Sequence, residues 1–160
     1  MRPALAVMAK VPGLEPVKSR MHDALTPELA TLLYRCFLLD CLDAVAALPQ
    51  VTPVLAFTPA SGRARMEALA PPAFRLVAQE GAGLGERMSN LLAGLLADGH
   101  PAAMVMGSDL PTLPAEYLGE AAETLERGAA DVVVGPTEDG GYYLIGLRRR
   151  QAALFTHAGS

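Results

Sequence analysis

An α/β fold, a three-layer αβα sandwich around a mainly parallel sheet, is predicted by three features of the sequence. Short apolar segments alternate with longer stretches of helical periodicity. The apolar segments carry few polar residues, as strands buried on both faces do. Polar and glycine-rich clusters follow four of these segments, where loops would leave the carboxyl ends of parallel strands. With 160 residues, 51% of them hydrophobic and 19% charged, the chain has enough apolar content to fold as one compact domain spanning residues 1–160.

The elements follow in order. Residues 3–9 (PALAVMA) form a first buried strand, and residues 10–20 form a loop with three cations. Residues 27–48 form a helix with Thr26 as N-cap and Pro27 in the first helical position. Its apolar positions, Leu29, Leu32, Leu33, Cys36, Phe37, Leu39 and Val45, recur at helical spacing. Residues 51–57 read as a strand, with Pro53 suited to a strand start or a sheet edge because it lacks an N–H. Residues 61–70 form a short helix stopped by Pro71-Pro72, and residues 74–78 a strand. Residues 86–98 are a helix closed by Gly99, residues 102–107 a strand, and residues 114–127 a helix ending at Gly128. Residues 131–135 and 142–147 are two strands without an intervening helix, which predicts an antiparallel strand near the C-terminus.

Composition excludes several classes of function. The formal net charge of −4 argues against nucleic-acid binding through a general basic field, so any phosphate must be held locally. No apolar run approaches the ~20 residues of a membrane span. The apolar run at residues 3–9 is too short for a secretion signal, and the two cysteines, Cys36 and Cys41, lie five apart in a helix and point to different faces. Both are expected to be reduced core thiols, and the protein cytoplasmic. His22, His100 and His157 have no metal-ligand spacing and are expected at the surface or in caps, so zinc has no support. Neither a G-x-S-x-G elbow nor another local nucleophile signature occurs.

Four loops remain as candidates for chemistry. In K-V-P-G-L-E-P-V-K-S-R, Lys10, Lys18 and Arg20 stand beside glycine and proline, either gathered around phosphate oxygens or simply solvated. The G-x-x-x-x-G-K-[ST] spacing of a P-loop is absent. Q-E-G-A-G-L-G-E-R, residues 79–87, ends in a helix start whose N–H groups and Arg87 can face an anion; the alternative is a plain loop with an exposed arginine. It does not fit the G-x-G-x-x-G fingerprint, which disfavours NAD. In G-S-D-L-P, Asp109 either leaves a buried strand as an oxygen ligand for Mg²⁺ or Mn²⁺, or shares with Ser108 the capping of a turn. In E-D-G-G-Y-Y, Asp139 is either a second metal ligand or part of a hairpin turn.

Taken in order, these segments resemble the DUF2064 family of small bacterial GT-A-like glycosyltransferases, distant relatives of molybdenum-cofactor and phospholactate nucleotidyltransferases. The resemblance runs through K-x-P and V-K-S-R, Q-x-G with L-G-E-R-M, G-S-D-L-P, and D-V-V-V-G-P-T-E-D-G-G-Y-Y-L-I-G-L, and so spans nearly the whole chain. It implies a Rossmann-like sheet of GT-A type. It further implies that Lys10, Lys18 and Arg20 bind phosphate with Gln79, Gly81, Arg87 and Ser108 completing the nucleotide site. Asp109 would be the catalytic, metal-binding acid in place of a D-x-D motif, and Asp139 a second one. Glu138, Gly140, Gly141 and Tyr142 would meet the substrate.

The sequence also departs from the family pattern. Glu15 stands where the family has glycine, Gly13 lies two places earlier, and Gly83 replaces a frequent acid. Family members continue past the counterpart of Ser160 with a Trp-containing segment, and this sequence has no Trp. Three expectations stay open: a longer natural chain, a partner that supplies the missing wall, or a domain that keeps the pocket without activity.

The function expected is a metal-dependent glycosyltransferase, using Mg²⁺ or Mn²⁺, that moves a sugar from a nucleotide-diphospho-sugar to a small acceptor. The alternatives are a nucleotidyltransferase acting on an NTP and a phosphorylated acceptor, and a non-catalytic nucleotide-binding or interaction domain. Glu138 and Asp139 are the candidate general bases, and a homodimer is an open option.

Overall fold

A computed structural model describes residues 1–17, 21, 23–108, 110 and 112–156. Six strands, β1 (Ala4–Lys10), β2 (Thr52–Thr58), β3 (Arg75–Ala78), β4 (Ala103–Met106), β5 (Val132–Pro136) and β6 (Tyr142–Leu147), form one sheet in the order β3-β2-β1-β4-β6-β5. Strands β1 to β4 pair in parallel, while β6 runs antiparallel to both β4 and β5. The reversal follows from the short link between β5 and β6, since a parallel pair needs a crossover of a dozen residues or more. The α/β sandwich and its antiparallel strand are therefore as expected from the sequence.

Among the described residues four α-helices flank the sheet: α1 (Pro27–Ala46), α2 (Arg63–Leu69), α3 (Leu84–Ala97) and α4 (Ala115–Glu126). Strand alternation sends Leu5, Val7, Leu55, Phe57 and Met104 into one core with Leu38, Leu42 and Val45 of α1, Met66 of α2, and Leu118 and Leu125 of α4. The opposite face carries Ala4, Ala6, Ala56 and Ala103, which pack with Met88, Leu91, Leu92 and Leu95 of α3. Alanines on that face leave room for the bulky face of α3 to lie against the strands. Val54, Val105, Ile145 and Leu147 complete the α3 side of the sheet.

Pro53 is the second residue of an interior strand. The Thr52 N–H donates to the O of Pro3, just before β1, at 2.8 Å, so position 53 faces β3, whose pairing starts only at Val54. The missing N–H therefore costs no ladder bond. Thr26 caps α1 as expected, with its Oγ1 accepting from Leu29 N–H at 3.2 Å.

Three expectations need correction. The inward face of α1 is Ala30, Tyr34, Leu38, Cys41, Leu42 and Val45, whereas Leu29 and Leu32 are about half exposed, at 52% and 53%. Cys36 is exposed and only Cys41 is buried. The helix is apolar nearly all round, so periodicity located it without selecting its buried stripe. His100 is likewise buried, its Nδ1–H donating to Arg2 O at 2.8 Å, while His22 and His157 lie outside the described residues.

Candidate functional site

In this strand order β1 and β4 are neighbours whose following helices, α1 and α4, are reached in opposite directions along the sheet, and the crevice beyond their carboxyl ends is where such sheets bind ligands. A cavity of about 1120 Å³ opens there. Its floor is built by Met8, Ala9 and Lys10 at the end of β1, Thr58 at the end of β2, Gln79 after β3, Val105 and Met106 at the end of β4, and Gly107 and Ser108 just beyond it. Residues 82–84, Arg87 and Met88 form one wall, and Gly141, Tyr142 and Tyr143 the other. Among the described residues lining it, Lys10 and Arg87 are the charged ones and no carboxylate joins them. A protein of net charge −4 thus sets two cations at this opening, with Glu15 close by, its Oε1 accepting from Thr58 Oγ1 at 3.5 Å.

Backbone groups hold several of the polar residues. The Tyr34 hydroxyl, on α1, accepts from the Lys10 N–H at 3.0 Å and pairs with Ser108 Oγ at 2.7 Å, joining the ends of β1 and β4. The Cys41 thiol donates to Ser108 O at 3.5 Å. Lys10 Nζ donates to Pro16 O at 3.4 Å, which folds the loop back along its own side chain. Gln79 Nε2 donates to Ala56 O at 2.9 Å and Ala9 O at 3.3 Å.

The glycine-rich loop before α3 is clamped by that helix. Arg87 Nε donates to Gly81 O at 3.0 Å, Asn90 Nδ2 to Glu80 O at 3.0 Å, and the Ala82 N–H to Glu86 Oε2 at 3.3 Å. Gly81 has φ +141, and a Cβ there would stand 2.8 Å from the Arg87 backbone nitrogen. Glycine is required at that point. Across the opening, the Tyr142 hydroxyl donates to Met88 Sδ at 3.7 Å and links the two walls.

The structure therefore gathers Lys10, Gln79, Arg87, Ser108, Gly141 and Tyr142 around one cavity. Gly81 shapes the loop behind the wall. Glu138, Asp139 and Gly140 lie exposed in the turn between β5 and β6, where Asp139 Oδ1 accepts from Thr137 Oγ1 and from the Gly141 N–H at 3.1 Å. This is the hairpin-turn alternative for E-D-G-G, and it orients Gly141 toward the cavity. Lys18, Arg20 and Asp109 lie outside the described residues. Tyr34 and Thr58 were not selected from the sequence: a tyrosine within an apolar helix and a threonine ending a strand carry no motif.

Among the described residues no three His, Cys, Asp or Glu side chains group to hold a metal. A magnesium-type site on nucleotide phosphates needs one or two carboxylates, the remaining positions being filled by phosphate and water. Among the described residues lining the cavity none supplies that carboxylate, and Asp109, the sequence candidate, lies outside them.

This sheet order with a cavity over its switch point defines a nucleotide-diphospho-sugar transferase-like α/β fold, shared with cytidylyltransferases. A candidate nucleotide-diphospho-sugar transferase from Desulfovibrio desulfuricans G20 superposes with TM-score 0.87 at 32% identity, over 98% of this chain and 69% of that one. The 4-diphosphocytidyl-2C-methyl-D-erythritol synthase of Anaerococcus prevotii superposes with TM-score 0.57 at 12% identity, over 96% of this chain and 71% of its own, a likeness of fold. A Mycobacterium tuberculosis H37Rv protein crystallised as a manganese complex gives TM-score 0.59 at 15% identity, over 99% of this chain and 76% of its own. No curated protein matches the sequence. Residues 41–158 match the family described as an uncharacterized protein conserved in bacteria, DUF2064, and the chain belongs to that family.

Proposed function

We propose that this chain is a transferase that binds a nucleotide-diphospho-sugar in the switch-point cavity and passes the sugar to a small acceptor. The carrying observation is the cavity lining: Lys10 and Arg87 without a carboxylate among the described residues, over the carboxyl ends of β1 to β4. Such a lining suits a diphosphate, and Lys18 and Arg20 of the same loop would add to it. The 32% identity to the Desulfovibrio protein supports the donor class.

In this reading Lys10 neutralises charge on the departing nucleotide while Tyr34 and Gln79 keep the strand ends that carry it in register. Mg²⁺ or Mn²⁺, held by Asp109 with Asp139 as a second carboxylate, would supply electrostatic stabilisation of the phosphates. The acceptor oxygen bonds to the sugar's anomeric carbon, the bond from that carbon to the diphosphate breaks, and the acceptor proton passes to Glu138 or Asp139. Catalysis would be positional and electrostatic.

The test is the product released from pooled donors and acceptors. Nucleoside diphosphate release supports sugar transfer; pyrophosphate release from an NTP replaces it with nucleotidyl transfer, in which a phosphorylated acceptor attacks the α-phosphate. Binding with no turnover leaves a nucleotide-binding domain. Lys10→Ala should weaken nucleotide binding by roughly tenfold, the worth of one charge-assisted contact, and unchanged affinity would remove Lys10 from the site.

A further inference from the structure

The loop after β1 leaves the cavity at Lys10 and rejoins it at Val17, and residues 11–16 between them do not line it. They rest instead on the end of β2 and the segment after it. The Val11 N–H donates to Thr58 O at 2.8 Å, Thr58 Oγ1 donates to Glu15 Oε1 at 3.5 Å, and Arg65 Nη1 of α2 donates to Pro12 O at 3.3 Å. A fourth contact is one of shape. Val11 is fully buried, and a Cβ added to Gly62, just before α2, would stand 2.5 Å from its Cγ2 and 2.7 Å from its Cγ1. Non-bonded carbons sit at about 3.5–4.0 Å, so the valine occupies the space that any side chain at position 62 would need.

Val11 is joined directly to Lys10. The Lys10 N–H is held by the Tyr34 hydroxyl, and Lys10 Nζ donates to Pro16 O at 3.4 Å. The stretch that residues 58–65 support therefore governs both where the Lys10 side chain leaves the sheet and where its ammonium is held. We propose that Gly62 and Arg65, neither of which lines the cavity, are positioning residues that hold residues 11–16 in the shape that presents the Lys10 ammonium to a bound nucleotide. The gain is pre-organisation: a loop ordered before the ligand arrives gives up little conformational entropy on binding. A side chain at position 62 displaces Val11 and with it the adjoining Lys10 peptide. Loss of the Arg65 guanidinium frees Pro12 O and loosens the turn. The inference rests on the cavity being a nucleotide site with Lys10 in it, as proposed above.

Equilibrium binding of UDP, CDP, GDP and ADP is measured on the full chain with Mn²⁺ present, and the tightest of the four is carried through the variants. Gly62→Ala should weaken it by about fivefold or more, as an overpacked contact does, and Arg65→Ala by about threefold, the scale of one hydrogen bond. A role in stability alone would lower the melting midpoint and leave the affinity of the folded chain unchanged. The second readout is a double-mutant cycle. Because Gly62 acts through Lys10, Gly62→Ala combined with Lys10→Ala should bind within about twofold of Lys10→Ala alone. Wild-type affinity in either folded variant, or additive losses in the cycle, overturns the positioning role and leaves the nucleotide site standing. Binding of none of the four, or unchanged affinity in Lys10→Ala, overturns the reading on which the inference rests. Where circular dichroism shows that Gly62→Ala does not fold, Arg65→Ala, a change at an exposed residue, takes its place in the cycle and decides in the same way.

Discussion

The Tyr34 hydroxyl serves the ends of two strands at once, accepting from the Lys10 N–H and pairing with Ser108 Oγ. Tyr34→Phe keeps the ring in the core and leaves the Lys10 N–H and the Ser108 hydroxyl without this partner. The expected cost is about 1–3 kcal/mol, the penalty for an unsatisfied buried group, read as a lower urea midpoint at unchanged slope. A midpoint equal to wild type would mean that water replaces the hydroxyl. Gly135 makes the complementary point about shape. A Cβ there would stand 2.3 Å from Cζ of Tyr143, a residue of the cavity wall. Gly135→Ala must therefore displace that ring, costing roughly 1–3 kcal/mol as an overpacked contact, and the near-UV tyrosine signal should change with it.

Helix α1 separates what a sequence pattern can specify from what it cannot. Thr26, Pro27 and the apolar run located the helix, because capping and propensity are local. Its buried stripe was not legible, since leucines lie on both sides and only packing against β1 and β2 selects Leu38 over Leu32. Leu38 is fully buried, so Leu38→Ala should cost about 2–5 kcal/mol, while Leu32→Gln should stay within about 0.5 kcal/mol of wild type. Similar costs at the two positions in chemical denaturation would contradict the orientation of the helix. The site loops divide in the same way. Lys10, Gln79, Arg87, Ser108, Gly141 and Tyr142 were legible because polar residues directly after buried strands stand out against an apolar background. Tyr34 was not, because its hydroxyl gains meaning only when α1 docks across two strand ends. E-D-G-G was ambiguous in sequence, and its Asp139 serves the local turn through Thr137 and Gly141.

At the scale of the molecule, the cavity touches residues at or just beyond the ends of β1, β2, β3 and β4 and the start of β6, five of the six strands of the sheet. A ligand seated there is held by both halves of the sheet and by α3. Its binding free energy should therefore add to the cooperative unfolding of the whole, because the strand ends cannot separate while it is bound. For a nucleotide at a hundred times its dissociation constant the stabilisation is about 2.7 kcal/mol. In a chain of this size that corresponds to a rise in melting midpoint of roughly 5–11 °C. Hydrogen exchange distinguishes this from a local clamp: protection should increase at the amides of β1, β2 and β4 together with those of α3. Slowing confined to residues 79–90 would instead mean that the ligand merely orders the glycine-rich loop, and the midpoint would then move little. If the phosphates require a divalent ion, omitting Mn²⁺ should reduce the shift in midpoint and the sheet protection in the same proportion, since both report one binding equilibrium.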